Sequence, residues 1–178
     1  GAEVTRNRFL AAFPGEVAAS MEIRAARAQK ELDACAAGRI TVTSLLSKKS
    51  SSELKAYLAL ARANPGLASP PILAQCDFLE AGEAHAAYVA VRLTQPLPKS
   101  IEQKKSALEA TIALYERCTK RGVAEYTHAS AHRIGLSLIE FGDALAASER
   151  PSGLGGEDLL AYNDVLTEQS YAFFDRGE

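Results

Sequence analysis

The sequence predicts an all-α fold in which antiparallel helix pairs stack into a right-handed solenoid. Apolar residues recur with a period close to 3.6 along nearly the whole chain, which is the spacing of an amphipathic helix. Pro, Gly and capping residues interrupt that pattern and leave only short connectors between the helices. No alternation of strand and helix patterns is present. We expect six main helices in a single helical-repeat domain over residues 1–178.

Composition narrows the class of partner. The net charge is −2, so no basic excess draws the chain to nucleic acid. No apolar run approaches the roughly 20 residues of a membrane span, and direct membrane insertion is not expected. The chain begins at Gly1 without an initiator Met or a signal-peptide pattern, and we expect it to be a piece of a longer protein.

The first long helix is predicted between Pro14 and Gly38, which are the residue types that commonly open and close a helix. A short helical turn containing Phe9, Leu10 and Phe13 is expected before it. The apolar stripe of the long helix consists of Val17, Met21, Ala25, Ala28, Leu32 and Cys35.

Residues 39–49 form the first break in the helical pattern. Ile40 to Thr43 has strand propensity, but the stretch is too isolated to form a sheet, so we expect an extended connector. Ser50 with Glu53 is a capping-box pattern that opens a short helix. Asn64-Pro65-Gly66 ends that helix.

The next two helices are also marked by capping signals. Ser69 is the expected N-cap of the first, with Pro70 at its first position, and residues 94–98 stop it. Ser100 with Gln103 is a second capping box, which opens the following helix. The apolar stripe of the first of these helices consists of Ile72, Cys76, Leu79, Ala86 and Val89.

A long helix is predicted from Val123 to Ala147, after the stop at Gly122. Gly135 and Gly142 lie one heptad apart on it and indicate that another helix approaches closely. Its expected core face consists of Thr127, Ala131, Ile134, Leu138, Phe141 and Leu145.

The last helix follows a break at residues 150–153, which contain Pro151 and Gly153. Its amphipathic pattern completes the count of six main helices. The apolar face consists of Leu159, Tyr162, Leu166, Gln169 and Phe173.

Three segments resemble tetratricopeptide-type repeats of bacterial envelope-associated scaffold proteins. Residues 8–15 (Arg-Phe-Leu-Ala-Ala-Phe-Pro-Gly) are similar to the end of such a repeat. Residues 114–122 lead into Ala131 to Leu138, whose Ile-Gly-x-x-Leu resembles the Leu-Gly-x-x-Tyr of a repeat's first helix. Residues 150–154, with the helix beyond them, resemble a loop-and-helix extension found among such repeats in bacterial gliding or outer-membrane machinery. The signature Trp and a strict 34-residue period are absent.

The resemblance implies a non-enzymatic scaffold or adaptor within a larger bacterial envelope or motility assembly. It implies a periplasmic or envelope-associated location, with a cytoplasmic one left open, and no cofactor. The partner would be another protein or a peptide bound in the groove made by successive first helices. We expect the binding face to carry Tyr126, His132, Arg133 and Glu140.

The residues themselves leave two alternatives open. Glu125, His128 and His132 share one helix face and could ligate a metal ion in a helical bundle, although the Glu-x-x-His motif of di-iron proteins occurs only once. Exposed Ala/Leu stripes could instead pair two copies of the chain into a homodimer. The sequence contains neither a Gly-rich phosphate-binding loop nor a Gly-x-Ser-x-Gly motif, so neither of these motifs indicates an enzyme.

The cysteines and the charged strips support no site by themselves. Cys35, Cys76 and Cys118 form no Cys-x-x-Cys pair, and we expect buried small residues, with a disulfide between two of them as the alternative. A basic strip is expected to be a solvated helix face, although it and an acidic strip could pair within the fold or with a partner. The two strips consist of Arg24, Arg27 and Lys30, and of Asp77, Glu80 and Glu83.

Overall fold

The computed structural model describes residues 14–177, and this part of the chain contains only helices, turns and irregular connectors. The all-α prediction is therefore confirmed. Within the same range, no helix combines the length and the apolar character needed to cross a membrane. The α-helices of these residues are α1 (Pro14–Ala36), α2 (Val42–Leu46), α3 (Glu53–Ala63), α4 (Pro70–Ala90), α5 (Leu97–Thr119), α6 (Ala124–Ala146) and α7 (Gly156–Gly177).

The chain divides into two compact units, with the boundary between Leu79 and Glu80 inside α4. We call them the N-terminal unit and the C-terminal unit. The prediction of one domain over residues 1–178 stays a prediction. The expected turn at Phe9, Leu10 and Phe13 and most of the first repeat-like segment lie outside the described residues.

In the N-terminal unit, α1 packs against α3. The apolar stripe of α1 is confirmed, since five of its six residues are buried and Ala25 packs against the same core. The buried residues of this core are Val17, Met21, Ala28, Leu32, Cys35, Val42, Leu45, Leu54, Tyr57, Ala61, Ile72 and Cys76.

The connector after α1 is not extended throughout, and that prediction is wrong for Val42–Leu46. These residues form the short helix α2, with Thr41 as the N-cap accepting a hydrogen bond from the Ser44 N–H at 3.1 Å. Val42 and Leu45, three positions apart, are both buried. Burial on one helical face and the cap together outweigh the strand propensity of the β-branched residues.

The predicted start of α3 is also two residues early. Ser52, not Ser50, is the N-cap, and its hydroxyl accepts from the Lys55 N–H at 3.1 Å. A carboxylate from α1 determines this register: Glu31 accepts from the Glu53 N–H at 3.1 Å and from the Leu54 N–H at 2.7 Å. A carboxylate at a helix N-terminus is favourable because the first N–H groups lack helical partners.

The stripe predicted for α4 holds only in its first half. Ile72 and Cys76 are buried, whereas Ala86 is exposed and Val89 is 49% exposed. In the C-terminal unit, α4 instead buries Ala81 and Tyr88. One continuous stripe was the wrong expectation because the two halves of the helix belong to different compact units.

Ser100 does not cap α5, which begins at Leu97 after Pro96. Its side chain is buried, and its hydroxyl donates to the Thr94 carbonyl at 2.7 Å and accepts from the Thr94 N–H at 3.1 Å. The second capping box is therefore wrong as a helix start. Ser100 ties the preceding connector onto the helix instead.

The predicted boundaries of α6 are confirmed, because Val123 and Ala147 are its two cap residues. Leu138, Phe141 and Leu145 are buried as expected, but Ala131 is exposed. The contribution of α6 to the core begins at Ile134, so the stripe was predicted about two turns too long toward the N-terminus. The buried residues of this core are Tyr88, Leu93, Leu97, Leu108, Leu138, Phe141, Leu145 and Leu166.

The close approach predicted at the two α6 glycines is confirmed, and the approaching helix is α7. A Cβ atom on Gly135 would lie 2.5 Å from the Gly177 carbonyl oxygen. One on Gly142 would lie 2.6 Å from Cε1 of Phe174. The absence of side chains at these two positions lets α6 and α7 pack together.

Candidate functional site

The four residues expected to bind a partner lie on two different sides of α6. Tyr126, Arg133 and Glu140 follow one another at heptad spacing, so they form one line along the helix. His132 is rotated by about 100° from Arg133. His132 and Arg133 are exposed, whereas Tyr126 and Glu140 are half-buried. The structure thus brings three of the residues to one face and leaves His132 beside it.

Glu140 is held by a residue of α4. Its Oε2 lies 2.7 Å from Nε2 of His85, whose side chain is only 14% exposed. One helical turn from Glu140, the Ser137 carbonyl accepts a hydrogen bond from the Tyr88 hydroxyl at 2.8 Å. These two contacts join α4 to α6 beside the line of Tyr126, Arg133 and Glu140.

Lys104 of α5 completes a polar cluster, which we define as His85, Tyr88, Lys104, Ser137 and Glu140. The Lys104 ammonium donates to the carbonyls of Tyr88 at 3.2 Å and Val91 at 2.9 Å, so it caps the C-terminus of α4. It also lies 4.4 Å from the centroid of the Tyr88 ring, within cation–π range. The cluster therefore positions α4, α5 and α6 relative to one another.

Burial and charge determine the protonation of the cluster. Burial raises the pKa of Tyr88 well above that of a free phenol, and the negative charge of Glu140 acts in the same direction. Burial lowers the pKa of Lys104, while Glu140 opposes that shift. The Tyr88 phenol is therefore a neutral donor near neutral pH, and the Lys104 amine points at backbone carbonyls. In these protonation states both side chains donate hydrogen bonds to the backbone of α4 or α6, which stabilises the packing of α4, α5 and α6.

Sequence reasoning missed the cluster. Glu83 and His85 do not have the Glu-x-x-His spacing, and no pattern singles out Tyr88. The Lys104-Lys105 pair predicts a solvated basic face, and that prediction is wrong for Lys104, which is buried. One signal was present: Lys104 occupies the helical line that also carries Leu97, Leu108 and Thr111, all of which are buried. A charged residue inside an apolar line indicates a buried, hydrogen-bonded charge.

The metal-binding alternative finds no support in the geometry. Glu125, His128 and His132 are all exposed. Among residues 14–177, no group of three His, Cys, Asp or Glu side chains lies close enough to hold a metal ion. Cys35, Cys76 and Cys118 are buried thiols, as expected for small core residues.

Charged residues of both strips have partners within the fold. In the N-terminal unit, Arg24 and Arg27 contact the Glu53 carboxylate at 2.8 Å and 3.4 Å. In the C-terminal unit, Glu80 pairs with Arg117 of α5 at 2.5 Å. Arg24, Arg27 and Glu80 thus pair with residues that belong to neither strip.

Comparison of the chain with protein-family models, curated proteins and solved structures found no match. The tetratricopeptide-type resemblance therefore stays a prediction. What is known of the α6 face comes from its own geometry: an exposed guanidinium and a half-buried aromatic ring on one line with a carboxylate held by His85.

Proposed function

We propose that this chain is a non-enzymatic protein-binding scaffold built of tetratricopeptide-like antiparallel helix pairs. In this proposal α6 presents Tyr126, His132, Arg133 and Glu140 to a protein or peptide. The bacterial envelope or motility setting belongs to the proposal through the resemblance alone.

The order of contacts between successive helices supports antiparallel pairing. Between α6 and α7, Gly135 is near Gly177, while Gly142, further along α6, is near Phe174, which comes earlier in α7. Between α4 and α5, Glu80 contacts Arg117, whereas the later Tyr88 contacts the earlier Lys104. Pairs of this kind are the units that stack in helical-repeat proteins.

The helix lengths refine the expected repeat. α5 and α6 have 23 residues each, so the pair exceeds the 34 residues of a tetratricopeptide repeat. The proposed scaffold therefore uses longer helical hairpins. This difference also accounts for the absence of a 34-residue period in the sequence.

The observation that carries the proposal is the rigid support behind the exposed face. The His85–Glu140 pair and the Tyr88–Ser137 hydrogen bond hold one end of the line, while Arg133 remains exposed. Polar groups that are already ordered lose less conformational entropy when a partner binds. An exposed Arg on the same helical line as a half-buried Tyr is also the composition favoured at protein-binding hot spots.

The proposal is tested by partner capture from the native organism with three versions of the chain. Wild type is compared with the His132→Ala/Arg133→Glu double variant and with Arg92→Glu, a control that reverses an exposed charge in the connector just after α4. We expect wild type and the control to retain the same protein and the double variant to lose it. Circular dichroism melting checks that all three are folded. If the folded double variant retains the same protein, the assignment to α6 is wrong.

A further inference from the structure

The outer face of α7 combines exposed apolar side chains with a line of carboxylates. Leu160, Val165 and Tyr171 are 64%, 53% and 61% exposed. Of the 22 residues of this helix, the buried ones are Leu166 and Ser170. Large apolar residues concentrated on one exposed helix indicate an interaction surface.

Four acidic residues lie along the middle of this face. At the helical rotation of about 100° per residue, Glu157, Asp164, Glu168 and Asp175 fall within about 40° of one another. All four are exposed, and no ion pair with another residue in the range 14–177 engages them.

The apolar residues lie on both sides of the acidic line. Leu160 and Tyr171 lie on one edge of it, and Val165 lies on the other, about 100° from Asp164. The basic residue of the helix's last turn, Arg176, is rotated by about 120° from Asp164. The acidic line is therefore not neutralised from within the helix.

The charge pattern decides between two kinds of occupant. A second copy of the chain could bury the apolar residues by pairing α7 with α7, but this would bring two acidic lines together. Like charges in contact across an interface cost free energy and are a common means of excluding a wrong partner. A partner with Lys or Arg beside its own apolar residues would satisfy both features of the face.

We propose that this face of α7 binds a basic amphipathic helix. The partner helix would place apolar residues against Leu160, Tyr171 and Val165 and its Lys or Arg side chains against the acidic line. Glu157 to Asp175 spans about 27 Å, so the contact accommodates about five turns of helix. This surface is separate from the α6 line, and the inference does not depend on the proposed function.

The test is fluorescence anisotropy with a labelled synthetic peptide about five turns long, in which a line of Lys runs along one helical face and Leu occupies the positions on both sides of that line. A peptide of the same composition, scrambled to remove the amphipathic pattern, is the ligand control. We expect the amphipathic peptide to bind at least about tenfold more tightly than the scrambled one, because only it matches both features. Added salt should weaken the binding because exposed charges are screened.

Variants locate the site. Asp164→Lys/Glu168→Lys should weaken binding at least about tenfold, whereas the matched double reversal Glu102→Lys/Glu109→Lys, on exposed positions of α5, should leave it unchanged. Leu160→Ser/Tyr171→Ser should weaken it through the apolar contacts. The charge variant suffices if the apolar variant does not fold.

Three outcomes would overturn the proposal. Equal affinity for both peptides would show that the binding is non-specific attraction between opposite charges. An equal loss in the α5 control variant would place the site elsewhere. A dimer in light scattering that fails to bind the peptide and that Leu160→Ser/Tyr171→Ser dissociates would show that α7 pairs with a second copy.

Discussion

Lys104 is a charged side chain in the interior of the C-terminal unit, with only 4% of its surface exposed. Its ammonium replaces lost hydration with the carbonyls of Tyr88 and Val91, at the end of α4 and just beyond it, and with the face of the Tyr88 ring. A buried charge is tolerated only when its hydrogen bonds are made, so the position of Lys104 depends on where α4 ends. One residue of α5 therefore helps to determine the packing of its neighbour.

We expect Lys104→Met to lower the free energy of unfolding by about 1–3 kcal/mol, because the two carbonyls at the end of α4 lose their donor. The measurement is urea denaturation followed by circular dichroism. Lys105→Met is the matched control, since Lys105 is next in sequence but 61% exposed, and should change stability by less than about 0.5 kcal/mol. Equal stability of the two variants would contradict the capping role.

At the scale of the element, helix contacts are determined by small residues and by caps supplied from other helices. Gly135 and Gly142 admit the backbone and an aromatic ring of α7, and Glu31 of α1 caps α3. The glycine spacing can be recognised in the sequence. The Glu31 cap cannot, because Glu31 and Glu53 are far apart in the chain.

Replacing Gly by Ala usually stabilises a helix interior. The contact between α6 and α7 predicts the opposite effect at the two α6 glycines. Gly135→Ala should destabilise the protein, because the new Cβ would lie 2.5 Å from a backbone oxygen that must move. Gly142→Ala should cost less, since it meets the ring of Phe174, which can rotate. Gly82→Ala is the control: nothing lies within 4 Å of its added Cβ, so helix propensity should stabilise it by up to about 1 kcal/mol. Thermal melting of the three variants measures the order.

The α1–α3 contact predicts the effect of removing its carboxylate. Glu31→Ala should destabilise the protein by about 1–2 kcal/mol, because the Glu53 and Leu54 N–H groups lose their acceptor. Glu22→Ala, on an exposed position of the same helix, is the control and should have little effect. Urea denaturation distinguishes them. If Glu31→Ala is as stable as Glu22→Ala, the Glu31 carboxylate does not stabilise the start of α3.

At the scale of the whole molecule, two buried tyrosines link stability to alkaline pH. Burial raises the pKa of Tyr88 and of Tyr115; Arg133 opposes the shift of Tyr115, and Glu140 adds to both. The folded state therefore holds these phenolic protons more tightly than the unfolded state does. The stabilisation is fully present below the unfolded pKa of about 10 and is lost as the pH rises above it toward the folded values.

We therefore expect a spectrophotometric titration of the six tyrosines to leave at least two phenols protonated until the protein unfolds. The loss of stability above pH about 10 should be smaller in Tyr88→Phe than in wild type, because one of the two linked groups has been removed. Melting temperatures measured across that pH range test this. Ionisation of all six tyrosines in the folded protein would contradict the buried positions.

The candidate site was predictable in part. The heptad spacing of Tyr126, Arg133 and Glu140 is visible in the sequence once α6 is recognised as a helix. The pairing of Glu140 with His85 is not visible, because the two residues come from different helices and no local pattern links them. The prediction placed His132 on the same face as the others, whereas it is rotated by about 100° from Arg133.

The sequence by itself determined that the described chain is helical and where its longest helices lie, since apolar periodicity and Pro and Gly signals act locally. The bounds of α6 were predicted to within one residue for this reason. Tertiary structure alone decided which serine caps α3, why Ser100 lies inside α5, and which face α4 buries in each unit. Several serines offered equally good local caps. Glu31 of α1, distant in the chain, stabilises the start of α3 at Ser52, and Thr94 of the preceding connector holds Ser100 inside α5.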